Sequence, residues 1–136
     1  MDLILTFVVA HMAFLWHGAR FHITSSQVTT INSGDAVLFV ESSTIRMRFT
    51  RDRGQLFLDL SPAVGDGRSD EWYSIDLVRR LFTGRPETSS VLDASYAEFV
   101  ERRIEDIEQC FEAERWPATR TELKKIKVRR AKERFG

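Results

Sequence analysis

Residues 45–60 read IRMRFTRDRGQLFLDL, and the period of that stretch decides the fold class. Ile45, Met47 and Phe49 alternate with Arg46 and Arg48, and after a polar turn Leu56, Leu58 and Leu60 alternate with Phe57 and Asp59. Side chains on a strand point to opposite faces at every step, so each apolar set lines one face of an antiparallel hairpin. The register that aligns the two sets sets Phe49 opposite Leu56, Met47 opposite Leu58 and Ile45 opposite Leu60. A slip of one residue would expose the whole apolar row. Arg51, Asp52, Arg53 and Gly54 then form the loop, with Gly54 free to take positive φ. On the outer face Arg46 meets Asp59, and Arg48 lays its stem on Phe57.

Before the hairpin, residues 21–26 suggest a first strand with Phe21 and Ile23 on one face. Residues 32–35 carry turn chemistry. Residues 36–42, AVLFVES, are short and nearly continuously apolar, as a buried central strand would be.

The N-terminal stretch, residues 3–16, is LILTFVVAHMAFLW. Fourteen residues fall short of the roughly 20 needed to span a bilayer, and no basic segment or small-residue cleavage site marks a signal peptide. A core helix from Asp2 to Trp16 or His17 is predicted, stopped at Gly18. It is apolar nearly all round, which calls for cover on most sides by other elements or by a partner.

After residue 61 a polar, glycine-containing loop precedes a helix with Ser74 as N-cap, Asp76 in its first turn and Gly84 as its stop. Ile75, Val78, Leu81 and Phe82 form its inward stripe, and Arg79 and Arg80 face out. A third helix is predicted over 93–114. Tyr96, Phe99, Val100, Ile104, Ile107 and Phe111 recur at helical spacing, while Glu98, Glu101, Glu105, Asp106, Glu108 and Glu112 form an acidic face. Thr119 with Glu122 has the spacing of a capping box, opening a short basic helix or frayed tail. The predicted class is therefore α+β: an N-terminal helix, an antiparallel sheet of about four strands, and two to three C-terminal helices packed on one face. Residues 1–116 make one domain, and 117–136 a basic C-terminal helix or tail.

The 136 residues suit one domain with its own core. Lys and Arg number 20, as do Asp and Glu, so no overall field draws the chain to polyanions or membranes. The distribution is uneven. Residues 117–136 hold eight basic and two acidic side chains, or +6, and the remainder, with 12 basic and 18 acidic, carries −6. The single cysteine, Cys110, excludes an internal disulfide and fits a reducing, cytoplasmic setting.

No catalytic, cofactor or metal signature is present. His11, His17 and His22 lack ligand spacing, and Cys110 has no companion histidine. Asp52 and Asp59 are more simply ion-paired than acid–base groups. Residues 64–69, VGDGRS, lack the strand-to-helix P-loop pattern. Charge clusters carry what remains. Arg48, Arg51, Asp52 and Arg53 are candidates for docking an acidic protein, since guanidinium forks suit carboxylates and phosphates. The same arginines also serve as a solvated face that protects the hairpin from edge pairing. Lys124, Lys125, Lys127, Arg129 and Arg130 are candidates for nucleic-acid contact, with pairing to Glu101, Glu105 and Glu108 as the intramolecular alternative.

Four segments carry a resemblance: AFLWHGARFHI, AVLFVES, IRMRFTRDRGQLFLDL and WYSIDLVRRLFTG, together about half the chain. Through Phe21, Glu41, Ser42, Asp52, Arg53, Gly54, Trp72 and Gly84 this pattern resembles a family of small bacterial proteins of uncharacterised role, similar to the immunity proteins of bacterial toxin systems. The basic tail is not part of that pattern. The resemblance implies a small cytoplasmic protein, monomeric or homodimeric, that acts without catalysis or cofactors by binding a protein partner such as a toxin. Against this stand a nucleic-acid accessory role for the basic segment, membrane association through residues 3–16, and an enzyme whose residues the sequence does not reveal.

Overall fold

The computed structural model describes residues 1–28, 35–63 and 71–135. The turn read at 32–34 and most of the loop read after residue 61, including the VGDGRS stretch, lie outside the described residues.

Five strands form one antiparallel sheet in sequential order: β1 (His22–Val28), β2 (Ala36–Glu41), β3 (Ile45–Asp52), β4 (Gln55–Pro62) and β5 (Tyr73–Ser74). Among the described residues four α-helices accompany it: α1 (Asp2–His11), α2 (Ile75–Thr83), α3 (Ala94–Phe111) and α4 (Trp116–Phe135). The class is α+β as the alternation predicted, with one strand more than expected. The extra strand, β5, has two residues, too few to show a period.

Every second residue of β2, β3 and β4 is buried. Ala36, Leu38 and Val40, then Ile45, Met47 and Phe49, then Leu56, Leu58 and Leu60 form one apolar face. α1 packs over β3, while α2 packs on β4 and β5. Helix residues Ile4, Val8, Ile75, Val78, Tyr96, Val100, Ile107, Leu123 and Ile126 complete the core. At about 1.5–3 kcal/mol per large apolar side chain, this burial dominates the fold's stability.

The hairpin has the predicted faces but a different register. Phe49 stands opposite Leu58, Met47 opposite Leu60 and Ile45 opposite Pro62. A two-residue slip keeps every side chain on its face, so the apolar pattern alone could not distinguish the two registers. The turn chooses between them. Arg53 and Gly54 both adopt positive φ, 53° and 79°, and make a two-residue turn that lets Asp52 pair with Gln55. That geometry matches the right-handed strand twist better than a four-residue loop. Arg51 is therefore a strand residue opposite Leu56, not a loop residue. Arg46 faces Ser61, and Arg48 faces Asp59.

The first helix stops earlier than predicted. α1 ends at His11, Met12 leaves helical geometry, and a 3₁₀ turn runs over Ala13–Trp16. Its three-residue repeat puts Met12 and Leu15 on one side, both buried, continuing the stripe of Ile4 and Val8. Full cover reaches that stripe and partial cover reaches Phe7 and Phe14, while Leu3, Leu5 and Val9 remain exposed. Ile23 is likewise exposed rather than sharing a buried face with Phe21.

α2 begins after Ser74 and ends at Gly84, at φ 73°, as predicted. Asp76 and Leu77 join Ile75 and Val78 in the interior, while Leu81 and Phe82 are only partly covered. Arg79 and Arg80 do not simply face out. Arg79 lies 3.8 Å from the Tyr96 ring centroid and pairs with Glu87 at 2.6 Å, and Arg80 pairs with Glu133 of α4 at 2.7 Å.

α3 is shorter than predicted and carries a non-helical residue at Arg103. Glu108 does not belong to its solvated acidic face. It is buried and accepts hydrogen bonds from Arg20 (2.6 Å), Ser42 (3.2 Å) and Thr44 (2.8 Å). α4 is a 20-residue helix rather than a frayed tail. Pro117 occupies its first turn, where a missing N–H costs little. Thr119 therefore lies inside the helix, its N–H donating to the Arg115 carbonyl, and the capping-box reading fails.

Candidate binding site

The outer face of the sheet, opposite the helices, carries Val37, Phe39, Arg46, Arg48, Phe57 and Asp59, all half-buried. Trp72, just before β5, lies on this face. Its ring centroid is 5.9 Å from that of Phe39, 4.7 Å from the Arg46 guanidinium carbon and 4.5 Å from that of Arg48. Arg48 also pairs with Asp59 at 3.1 Å, and Arg46 donates to the Ser61 hydroxyl at 3.1 Å. The two-residue register shift thus replaces both predicted partners: Arg48 takes Asp59, and Trp72 takes the place foreseen for Phe57.

Beside Trp72 the structure forms a cleft of about 610 Å³, lined by Arg48, Glu71, Trp72, Tyr73, Lys124, Lys127 and Val128. Leu123 and Ile126 bury the inner stripe of α4. That fixes the helix rotation and turns Lys124 and Lys127, each one position further along, toward the cleft. Arg120 clamps Glu71 through two hydrogen bonds, at 2.6 and 2.8 Å, while Tyr73 donates its hydroxyl to Glu71 at 3.1 Å. The Arg120 bonds, and secondarily the Tyr73 bond, draw the Glu71 carboxyl down from 4.5 to about 2. Burial, followed by the Glu71 contact, pushes Tyr73 up to about 12. At neutral pH Glu71 is ionised and Tyr73 protonated, and the three residues act as a strut holding α4 to β5. Among the described residues neither Lys124 nor Lys127 forms an ion pair within 4.0 Å, though the charge of Lys124 adds a smaller contribution to lowering the Glu71 carboxyl.

The proposed partner-binding residues do not form one patch. Arg48 lies in the cleft wall. Asp52 and Arg53 project at the hairpin tip, 4.0 Å apart and well exposed. At about 3.3 Å per strand residue the tip lies roughly 13 Å from Arg48. Arg51 lies within β3, on the row that otherwise faces the helices. The basic segment also divides. Arg130 turns inward and pairs with Asp76 at 2.9 Å, so it serves the fold. Lys124, Lys125 and Arg129, with Val128 and Lys132, border a second, shallower groove on the outside of α4. The intramolecular partners expected for this segment were on α3. The observed ones are Asp76 of α2 for Arg130 and Glu122 within α4 for Lys125, in keeping with the packing of α4 against α2.

Sequence reasoning named Trp72 only as part of the resemblance pattern, not as a site residue, and it passed over Val128. Val128 offered a signal: it is an apolar residue off the Leu123–Ile126 stripe in an otherwise basic segment. Trp72 offered none, because only the fold brings it against Arg46 and Arg48. Most residues of the resemblance pattern have structural work here. Phe21 is buried, Gly54 and Gly84 take positive φ, and the Ser42 hydroxyl accepts from the Ile45 N–H at 3.1 Å and donates to Glu108.

Among the described residues no group of three His, Cys, Asp or Glu side chains comes together as a metal site would require, and no helix is long and apolar enough to cross a membrane. No protein-family model, curated protein or solved structure matches the chain.

Proposed function

We propose that this is a non-enzymatic protein that works by binding an acidic protein partner, with the Trp72 cleft and the adjoining side of α4 as the contact surface. The supporting observation is the arrangement of Lys124 and Lys127, without ion-pair partners among the described residues, beside a half-buried tryptophan and the exposed Val128. Lysines there reach carboxylates, and the Trp72 and Val128 surfaces contribute apolar area at the centre of a contact. Such a contact needs roughly 800 Å² per partner, more than the cleft alone and within reach of the whole α4 side.

A compact acidic protein surface suits this arrangement better than a nucleic acid. From Lys124 to Lys132 α4 rises only about 12 Å, and a chain of zero formal charge exerts no long-range pull on a polyanion. A toxin inhibited by a small cytoplasmic immunity protein is one partner of this kind, in keeping with the resemblance in the sequence. The hairpin tip, Asp52 and Arg53, is a second and separate contact point.

The test compares immobilised wild type, Lys124→Glu with Lys127→Glu, and Arg51→Glu with Arg53→Glu, each first shown to keep its circular dichroism spectrum and melting point. Host lysate, untreated and nuclease-treated in parallel, is passed over each. The proposal expects one protein held by wild type and lost by the α4 variant, with at least about a tenfold fall in affinity for that purified protein. Retention that survives the α4 substitutions but not the hairpin ones moves the surface to the tip. A captured species that nuclease destroys overturns the protein-partner reading.

A further inference from the structure

The two edges of the sheet are unlike. On the β4 side the edge is closed: β5 pairs with Asp59 and Leu60, the Leu92 N–H donates to the Leu56 carbonyl at 2.7 Å, and Arg130 reaches Ser74 at 2.9 Å. On the other side β1 pairs with β2 only, and no described residue bonds the opposite side of β1 through its backbone.

β1 is exposed along its whole length. Ile23 pairs with Val40 and Val28 with Ala36, so both point to the helix side of the sheet, yet they remain 51% and 57% exposed. The helix layer therefore stops short of β1. α1 packs on β3 and α2 serves β4 and β5, while α3 reaches this end of the sheet only through Glu108, which takes hydrogen bonds from Arg20, Ser42 and Thr44. Among the described residues, six of the seven large exposed apolar side chains lie in β1, α1 or the turn after α1: Ile23 and Val28, then Leu3, Leu5, Val9 and Trp16.

We infer that two copies of this chain join β1 to β1, antiparallel across a two-fold axis, making one continuous ten-stranded sheet from two of five. Three features select a second copy as the occupant. A two-fold contact sets each strand antiparallel to its own copy, so a charge near the axis would meet its own like. HITSSQV contains no Asp, Glu, Lys or Arg, in a chain where 29% of residues are charged. Natural sheet edges commonly carry such charges to prevent this pairing. The register irregularity between Ile23 and Ser25 still leaves Ser25 to Val28 in regular pairing geometry. Finally, the β4–β5 edge is closed, so association stops at two copies and no filament grows. The joined strands bring Ile23 and Val28 of both copies together on the helix side of the sheet, giving apolar cover to the side the monomer leaves bare.

Sedimentation velocity on the full chain over about 1–200 μM tests this, since mass action makes a dimer concentration-dependent. Wild type is expected at twice 15.8 kDa in the upper part of that range. Ser26 is exposed, near the middle of β1 and on its helix side. Ser26→Lys alone and Ser26→Asp alone are each expected to sediment as monomers, and to melt like wild type at about 1 μM, where wild type is itself largely monomeric. Their equimolar mixture is expected to recover the dimer, because only a contact of β1 with its own copy brings the opposite charges together. A wild type that stays monomeric throughout overturns the inference and leaves β1 to a strand from another protein. A dimer that neither charge weakens, or a mixture that stays monomeric, overturns the β1 pairing.

Discussion

Arg130 on α4 holds the Asp76 carboxylate of α2 at 2.9 Å, and that carboxylate side chain is only 3% exposed. The Ser74 hydroxyl donates to the same carboxylate and also meets Arg130 at 2.9 Å. This contact ties the basic C-terminal segment to the domain: a buried acid on one helix requires a cation from another. Arg130→Ala leaves Asp76 charged and unpaired inside the protein. A loss of about 2–3 kcal/mol is expected, given the partial exposure of the arginine. Replacing both partners, Arg130→Met with Asp76→Leu, should recover most of it. Urea denaturation measures both, and a single variant within about 0.5 kcal/mol of wild type would show the pair to be incidental.

Glu108 joins three segments, taking hydrogen bonds from Arg20, Ser42 and Thr44. Glu108→Ala strands those donors beside a cavity and should cost about 2 kcal/mol, with Arg20 rescued in part by solvent. Glu108→Gln keeps an acceptor and should cost about half as much. Thermal melts of the two variants decide it: equal losses would mean that volume, not hydrogen bonding, matters there.

The Glu71–Arg120 strut predicts an acid-dependent difference. The folded-state pKa of Glu71 is lowered from 4.5 to about 2, so its stabilising contribution is complete above 4.5 and drains away as pH falls toward 2. Both side chains are more than a third exposed, and screening keeps the effect small. Wild type and Arg120→Gln should therefore differ slightly in melting temperature at pH 7 and converge between about pH 4.5 and 2. A gap that stays constant across that window would dissociate the strut from the titration.

At the hairpin tip, Gly54 has φ 79° and open space where a Cβ would stand, so Gly54→Ala meets only backbone strain and should cost about 1 kcal/mol. Arg53, at φ 53°, bears that strain in the wild type. Arg53→Gly should stabilise the turn, or at worst be neutral, because glycine reaches positive φ without a Cβ clash and loses part of the gain to chain entropy. Chemical denaturation gives both values, and a stabilising Gly54→Ala would refute the two-residue turn.

Much of the architecture was legible. Alternation in residues 45–60 and 36–41 gave the sheet its faces, and Ser74 and Gly84 bounded α2 correctly. The site was less so. Arg48 was singled out, but as part of a hairpin patch from which the true turn separates it. Lys124 and Lys127 were singled out without the tryptophan they face.

The amino-acid order determined which side of each strand is apolar and where two helix ends fall, because side-chain period and glycine φ are local properties. Tertiary packing alone decided the rest. The hairpin register is the exception: a two-residue slip preserves both faces, and the local Arg53–Gly54 turn, not packing, discriminates between them. Packing turned Glu108 and Arg130 inward, because whether a charge on an amphipathic helix is solvated depends on what packs over it. It also left β1 bare, since a strand's exposure is fixed by how far the helix layer extends across the sheet.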